Sequence, residues 1–338
     1  MNTVKDFGRY KDNFVVVHQG SDQPEISVVM PVYNCEEFVA DAVTSILAQQ
    51  KVVVEILISD DASTDNTFEI AYQTVVDYCS QSGTKHTVLM RAGTSRLVRD
   101  HLHLVAETAS SDLVCQAHGD DISHPLRCSL LVKAFNQEDR KVSMVFVDTS
   151  TIDQQGKSLE EPKDFSLSSI TADPVKYDSI VHAQDNNLIG CNMAWRRSSF
   201  KDFPKLTTSY CAYGHDRVMT FRSLLVGGCF KLDASLLQRR IHENQLHKES
   251  ISFEHTPINM FNYQIIRLCL FSAMKKDLTF LKENNLIREN DFTQHCNNVD
   301  SMIVYTSKYL AYATNNLVVD GYVNNWLKKS NNNAQVDQ

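Results

Sequence analysis

The chain has 338 residues, with 33 Lys and Arg against 41 Asp and Glu, a formal net charge of −8, and a 43% hydrophobic share. That balance argues against a broadly basic nucleic-acid surface, a polybasic membrane patch or a disordered polymer. No apolar run reaches the roughly 18 residues that a membrane-spanning helix needs, and the amino terminus lacks the basic head and apolar core of a secretory signal.

Residues 1–24 are polar and irregular and read as an arm. The run 25–33 (EISVVMPVY) is short, β-branched and apolar on both faces, the pattern of a buried parallel strand. Asn34 is expected to open a helix to about Gln50, with acids in its first turn. A second buried strand follows at 52–59 (VVVEILIS), then a polar turn at 60–65 and a helix over 66–79. Strand 87–90, helix 97–108 and strand 113–117 come next. His124-Pro125 is expected to start a helix, and 142–147 reads as a fifth strand.

Strands alternating with helices predict an α/β fold with a mostly parallel central sheet flanked by helices. Residues 153–185 lose periodicity and read as a long excursion with one short helix, and 189–196 returns to strand. Gly227-Gly228 reads as a turn. After Ser250 the pattern is helical to about Lys328, followed by a polar tail. The expected organisation is an arm (1–24), an α/β domain (25–250, divided near 150) and a helical extension with tail (251–338). Nine cysteines, an odd number with no CxxC pair, read as reduced thiols in a cytoplasmic protein rather than a disulfide or zinc framework.

Ligands of a parallel α/β sheet bind at the carboxyl ends of its strands, where loops converge. Two acid pairs fall at such ends: Asp60-Asp61 after the second strand and Asp120-Asp121 after the fourth. One pair alone reads as a helix-capping turn. Two pairs on one sheet read as a shared crevice, and clustered carboxylates call for a cation or a hydrogen-bonding ligand. Oxygen donors of this kind suit Mg²⁺ or Mn²⁺. The chain has no GxGxxG after its first strand and no GxxxxGK[ST], so dinucleotide and P-loop chemistry lack support.

The stretch SVVMPVYNCEEFVADAVTSILAQQ…VEILISDDASTDNT resembles the opening of family 2 glycosyltransferases, which adopt the GT-A fold. The resemblance continues through VCQAHGDDISHPLR, GCNMAWRRSSF, YGHDRVMTFR and RIHENQLH, covering about 25–250 in order. It implies an inverting enzyme that passes a sugar from a UDP-sugar donor to a hydroxyl of a glycan or lipid-linked glycan acceptor. By this resemblance Tyr33, with the backbone at Pro31 and Val32, borders the base, and Asp61 or its neighbour Asp60 accepts the uracil imide hydrogen.

Asp120 is implied at the ribose or the metal, and Asp121 and His242 at the metal, Mn²⁺ or Mg²⁺. Arg96, Arg99 and Arg240 are implied near the phosphates, although each also reads as a solvated charge. Asp216, in YGHDR, is implied as the general base, and His215 precedes it where an acid is commoner. His118 likewise stands where the family often has an acid. Trp195, Arg196 and Arg197 are implied at the border of the sugar or acceptor, with core packing as the commoner use of such a Trp.

The carboxyl-terminal helices carry Tyr305, Tyr309, Tyr312, Tyr322 and Trp326. These read as a hairpin core, as a homodimer surface, or as a peripheral contact with a membrane-associated acceptor at the inner membrane face. Two rivals stand beside the transferase. A nucleotidyltransferase would want a basic, Gly-rich loop after the first strand, which PVYNCEEF does not offer. A catalytically degenerate nucleotide-sugar-binding protein or scaffold on the same fold is the alternative from another class.

Overall fold

A computed structural model describes residues 13–93, 98–137, 141–160, 172–174, 189–206, 215–243 and 257–319. Within these ranges, the side chains of 98–100, 104, 172–174, 215, 257–260, 313 and 315–319 lie outside the described set. Among the described residues ten strands form one mixed sheet. They are β1 (Val15–His18), β2 (Ile26–Val32), β3 (Val54–Asp60), β4 (Thr87–Ala92), β5 (Leu113–Gln116), β6 (Ile122–Ser123), β7 (Val142–Ile152), β8 (Ala172–Pro174), β9 (Met193–Arg196) and β10 (Gly228–Arg240). The strand order is β1-β4-β3-β2-β5-β9-β7-β10-β6, with β8 also paired to β10. β4, β3, β2 and β5 run parallel, so their carboxyl ends share one edge. β9 runs antiparallel between β5 and β7, while β7 and β10 are parallel.

The period-2 alternation of strands decides which side chains meet which layer. Ile26, Val28, Met30 and Val32 of β2 join one apolar cluster with α1 (Val39–Leu47), α2 (Thr67–Ser82) and α4 (Arg127–Phe135). Ser27 and Val29 carry the opposite face, where α3 (Val98–Thr108) packs on β2. Two further helices, α5 (Ser198–Lys201) and α6 (His215–Val226), pack on each other.

Several local expectations change. β1 emerges from the expected arm and pairs antiparallel with β4. The helix expected from Asn34 begins at Val39. Asn34 is left-handed, with φ 45°, and the amides that would start the helix are bound elsewhere: Cys35 N donates to Thr67 Oγ1 at 2.7 Å and Glu36 N to Asp65 Oδ2 at 3.2 Å. The next expected helix starts at Arg127 rather than at Pro125. β7 runs on to Ile152, because β10 pairs along its length.

Gly227-Gly228 does not end in a simple turn: Gly228 opens β10, a strand of 13 residues. Its alternating Phe230, Leu232, Ala234 and Leu236 are all buried, a strand signal legible in the sequence. Of the stretch 153–185, residues 153–160 form a turn closed by Leu159 N donating to Thr151 O at 2.9 Å, and 172–174 form β8. The short helix expected there falls on residues outside the described set. Residues 190–192 form a 3₁₀ turn before β9.

The chain divides into two compact units, one comprising Met1–Tyr210 and His215–His242, the other Cys211–Gly214 and Glu243–Gln338. In the second, α7 (Pro257–Glu283) packs on α8 (Glu289–Val319), burying Phe271, Met274, Leu278, Leu281, Val299 and Met302. Tyr305, Tyr309 and Tyr312 are exposed rather than part of that core. Tyr322 and Trp326 lie outside the described residues. Among the described residues no helix is long and apolar enough to cross a membrane.

Candidate active site

The carboxyl ends of β2 and β3 build the first wall. Val32 pairs in register with Asp60, and Asp61 N donates to Val32 O at 2.9 Å. Pro31 is half-buried, Val32 is buried, and Tyr33, the next residue along, is 47% exposed, so its ring is open to solvent. The loop after β3 is stitched to the loop after β2: Thr64 N donates to Asn34 Oδ1 at 2.8 Å and Asn66 N to Glu36 Oε2 at 2.9 Å. Asp60 and Asp61 are both buried. Burial pushes the Asp60 carboxyl up, against a 3.0 Å hydrogen bond that its Oδ2 accepts from Ser63 N. Asp61 Oδ1 lies 3.7 Å from Nδ1 of buried His101, whose Nε2 is 2.6 Å from Ser59 Oγ.

The loop after β5 brings the second acid pair to the same edge. Gly119 is required there, because a Cβ would lie 2.5 Å from Cys35 Sγ and 3.0 Å from Val32 Cγ1. The Cys35 thiol is pushed up to about 12, first by burial and then by Asp120. The two acids then part company. Asp120 Oδ2 lies 3.1 Å from His242 Nε2. Burial opposes ionisation of Asp120, but the His242 hydrogen bond and the nearby His118 and His242 hold its carboxyl below the usual range. Asp121 is 4% exposed and is pushed up by burial and by Asp120. Its Oδ1 accepts the Arg240 backbone N–H at 3.0 Å, and its Oδ2 lies 3.8 Å from His118 Nδ1.

Arg240 is turned inward. Its Nε donates to Asp120 O at 3.0 Å, Nη1 to Gln154 O at 2.8 Å and Nη2 to Asp41 Oδ2 at 3.3 Å, with the guanidinium over the Phe38 ring. The side chain implied at a phosphate is thus spent fastening the acid loop to the turn after β7.

The third component is Asp216, in the first turn of α6. A Cβ on Gly190 would lie 3.0 Å from both Asp216 Oδ1 and Gln116 Nε2. Gln116 Nε2 also lies 3.0 Å from His118 Nε2. The next residue, Cys191, is hydrogen-bonded to Asp121. Gly190 is therefore a neighbour of Asp216, and the adjoining Cys191 a neighbour of Asp121. His118, Asp121 and Cys191 offer donor atoms all within 4.8 Å of one another.

The implied sugar-bordering trio lies elsewhere. Trp195 is fully buried, edge-on to Phe200 with ring centroids 5.5 Å apart. Arg196 binds Val142 O, Asp112 Oδ2 and Phe135 O, and Arg197 binds Ala109 O. Because β9 is antiparallel, Arg196 pairs with Leu113, at the amino end of β5 and away from the acids. Arg96 and His247 fall outside the described residues, as do the side chains of Arg99 and His215. Residues that sequence reasoning passed over are Gln116, Gly190 and Cys191. Gln116 ends an apolar strand just before His-Gly-Asp-Asp, a place where a buried amide merits notice. Gly190 and Cys191 open the GCNMAWRRSSF segment, whose resemblance gave neither of them a role.

Residues 27–203 match the sequence profile described as Glycosyl transferase family 2. The putative glycosyltransferase EpsE of Bacillus subtilis is 32% identical over 133 residues, which is 39% of this chain and 46% of that protein. The chain therefore aligns with less than half the length of that relative. An uncharacterized glycosyltransferase of Rickettsia typhi is 23% identical over 229 residues, 67% of each chain. Among solved structures, S. aureus TarS 1–349 in complex with UDP-GlcNAc is similar with a TM-score of 0.52 at 16% identity, covering 89% of this chain and 92% of that one. That last likeness is one of fold.

Proposed function

The chain belongs to glycosyl transferase family 2, whose profile spans residues 27–203, and on that footing we propose that it transfers a sugar from a UDP-sugar to a hydroxyl of a glycan or lipid-linked glycan. The observation that carries the reading is that Asp216 neighbours Gly190 and Asp121 neighbours the adjoining Cys191. One residue pair thereby links an acid suited to proton removal with an acid suited to a cation, on the sheet edge that also carries Asp60 and Asp61. TarS, a fold neighbour, is in complex with UDP-GlcNAc, so a uridine donor is the first to try.

In this reading Tyr33 lies against the base, beside the backbone of Pro31 and Val32, and Asp61, with Asp60 as near alternative, accepts the imide hydrogen. A buried acceptor rejects bases without a matching donor more strongly than shape alone. Asp120, steadied by His242, faces the ribose. Asp121 is the acid that fits a divalent cation, Mn²⁺ or Mg²⁺: it is buried, and its neighbouring carboxylate makes its charge costly without added positive charge. His242 then acts on the cation side through Asp120. When bound, the cation supplies charge for the departing diphosphate.

Asp216 takes the proton of the acceptor hydroxyl as that oxygen bonds the anomeric carbon and the bond to the diphosphate breaks. One displacement inverts the anomeric configuration. A positioned base of this kind contributes about 10²–10⁴-fold in rate.

Asp216→Asn tests the assignment. Transfer should fall by about 10²–10⁴-fold while UDP still raises the melting temperature. Full transfer by this variant would sink the base role. No thermal response to any UDP-sugar, with or without Mn²⁺, would sink the donor and favour other nucleotides.

A further inference from the structure

Two acid pairs in the sequence suggest an oxygen-only cation site, but the donor atoms that converge are different. His118 Nδ1 lies 3.8 Å from Asp121 Oδ2. Cys191 Sγ completes a group whose donor atoms all lie within 4.8 Å of one another. Donor atoms sharing one small cation sit about 3–4.5 Å apart, given bonds of about 2.0–2.3 Å. The three residues come from the loop after β5 and the 3₁₀ turn before β9, so no local sequence pattern joins them. We propose that His118, Asp121 and Cys191 form a mixed nitrogen–oxygen–sulfur cation site, which takes borderline-soft divalent ions such as Co²⁺ or Zn²⁺ ahead of Mg²⁺. This rests on the cation part of the preceding reading and is independent of the sugar and the acceptor.

Three features of the surroundings support such a site. Gln116 holds His118 from behind, at 3.0 Å from Nε2. The Gln116 Oε1 atom is buried without a hydrogen-bond partner. Turning that amide over brings Oε1 onto Nε2–H of His118, which satisfies the buried oxygen and leaves Nδ1 as the nitrogen with a free lone pair toward Asp121. Metal-binding histidines are fixed in this manner by a partner on their other nitrogen.

Arg127 is the second feature. It is fully buried, and its Nη2 donates to Cys191 O at 2.6 Å and to Gln116 O at 3.0 Å. A guanidinium at this position fixes both backbones and favours a thiolate over a thiol, against the burial and the Asp121 charge that push Cys191 up. The third feature is access: the His118 side chain is 35% exposed while that of Asp121 is 3% exposed. An ion can therefore enter past the imidazole.

Ligation replaces the S–H bond of Cys191 with an S–metal bond, and the proton leaves to solvent. No electron changes hands. The thiol's hydrogen bond to Asp121 is exchanged for a shared ion. A thiolate in the donor set shifts preference toward Co²⁺ and Zn²⁺, whereas Mg²⁺ holds to oxygen donors.

The test is Co²⁺ added to the chelator-treated full chain with UDP present. The expected result is a near-ultraviolet sulfur-to-cobalt charge-transfer band that saturates and is lost in Cys191→Ser and in Asp121→Asn. It should survive in Cys35→Ser, whose thiol touches the same loop at Gly119. In the unaltered protein a roughly hundredfold excess of Mg²⁺ should leave the band in place and equimolar Zn²⁺ should remove it. That competition decides the matter even if Cys191→Ser fails to fold. Calorimetric Co²⁺ binding without the band, or a band that survives Cys191→Ser, overturns the mixed site and leaves a cation at Asp121. If UDP binds but no Co²⁺, Mn²⁺ or Mg²⁺ does, the cation reading falls together with this proposal.

Discussion

His242 Nε2 reaches Asp120 Oδ2 at 3.1 Å across 122 residues of sequence. The pair sits in the acid loop next to Asp121, whose own partners are the Arg240 backbone N–H and Cys191. The ring of His242 also packs against Phe38, with centroids 4.6 Å apart and the planes tilted by 44°.

This pairing carries a signed pH dependence. Asp120 has a depressed folded pKa, because the His242 hydrogen bond and nearby imidazoles outweigh its burial. Such an acid contributes stability above its unfolded pKa and loses it as pH falls through the folded one. His242→Ala should therefore destabilise the protein near pH 7 by about 1–3 kcal/mol, the usual loss for a buried hydrogen bond to a charge. The gap between variant and parent should narrow as pH falls below the carboxylate range. His242→Gln, which keeps a donor, should recover much of the loss in urea denaturation.

Asp60 predicts the opposite sign. Burial raises its carboxyl, so the folded state holds this proton more tightly than the unfolded chain and stability is lost as pH rises through that window. Asp60 Oδ1 is also buried without a partner. Asp60→Asn should raise the melting temperature by about 2–4 °C near pH 7, with the gain shrinking toward pH 4. Scanning calorimetry at the two pH values checks it. If donor binding relies on this acid, the same variant should weaken UDP.

Gly190→Ala probes the link between the two acids. Its methyl group would lie 3.0 Å from Asp216 Oδ1 and Gln116 Nε2, tighter than ordinary contact. The chain should fold and bind UDP, while kcat for transfer falls by about 10²-fold through displacement of the carboxylate. A loss of UDP binding instead would assign the glycine to the donor side.

Arg240→Met removes donors from two backbone carbonyls, Asp120 O and the more exposed Gln154 O, and keeps the packing over Phe38. The ion pair with Asp41 matters less, because that carboxylate is 66% exposed. A loss of about 1–2 kcal/mol is expected, since these part-buried hydrogen bonds are lost but water can reach the Gln154 carbonyl. The turn at 153–157 should also become more sensitive to proteolysis. If phosphate contact were the role of Arg240, UDP affinity would fall with stability unchanged.

The sequence by itself determined the alternation of strands and helices from β2 through β5 and the placement of both acid pairs at strand ends. Hydrophobic period and turn residues are local quantities, so a short window suffices to read them. Its ordered motifs were enough to identify the family. Local signals failed where long-range contacts decided: Asn34 left the helix because the amides after it bind Asp65 and Thr67. The tertiary structure alone assigned His242 to Asp120, turned Arg240 inward and set Arg196 at the far end of β5, while Trp195 took the core place that is the commoner use of such a side chain. It also brought Cys191 to Asp121, from a segment whose family resemblance gave that cysteine no role. A side chain's partner is fixed by which strands lie side by side, and strand order is a property of the whole sheet.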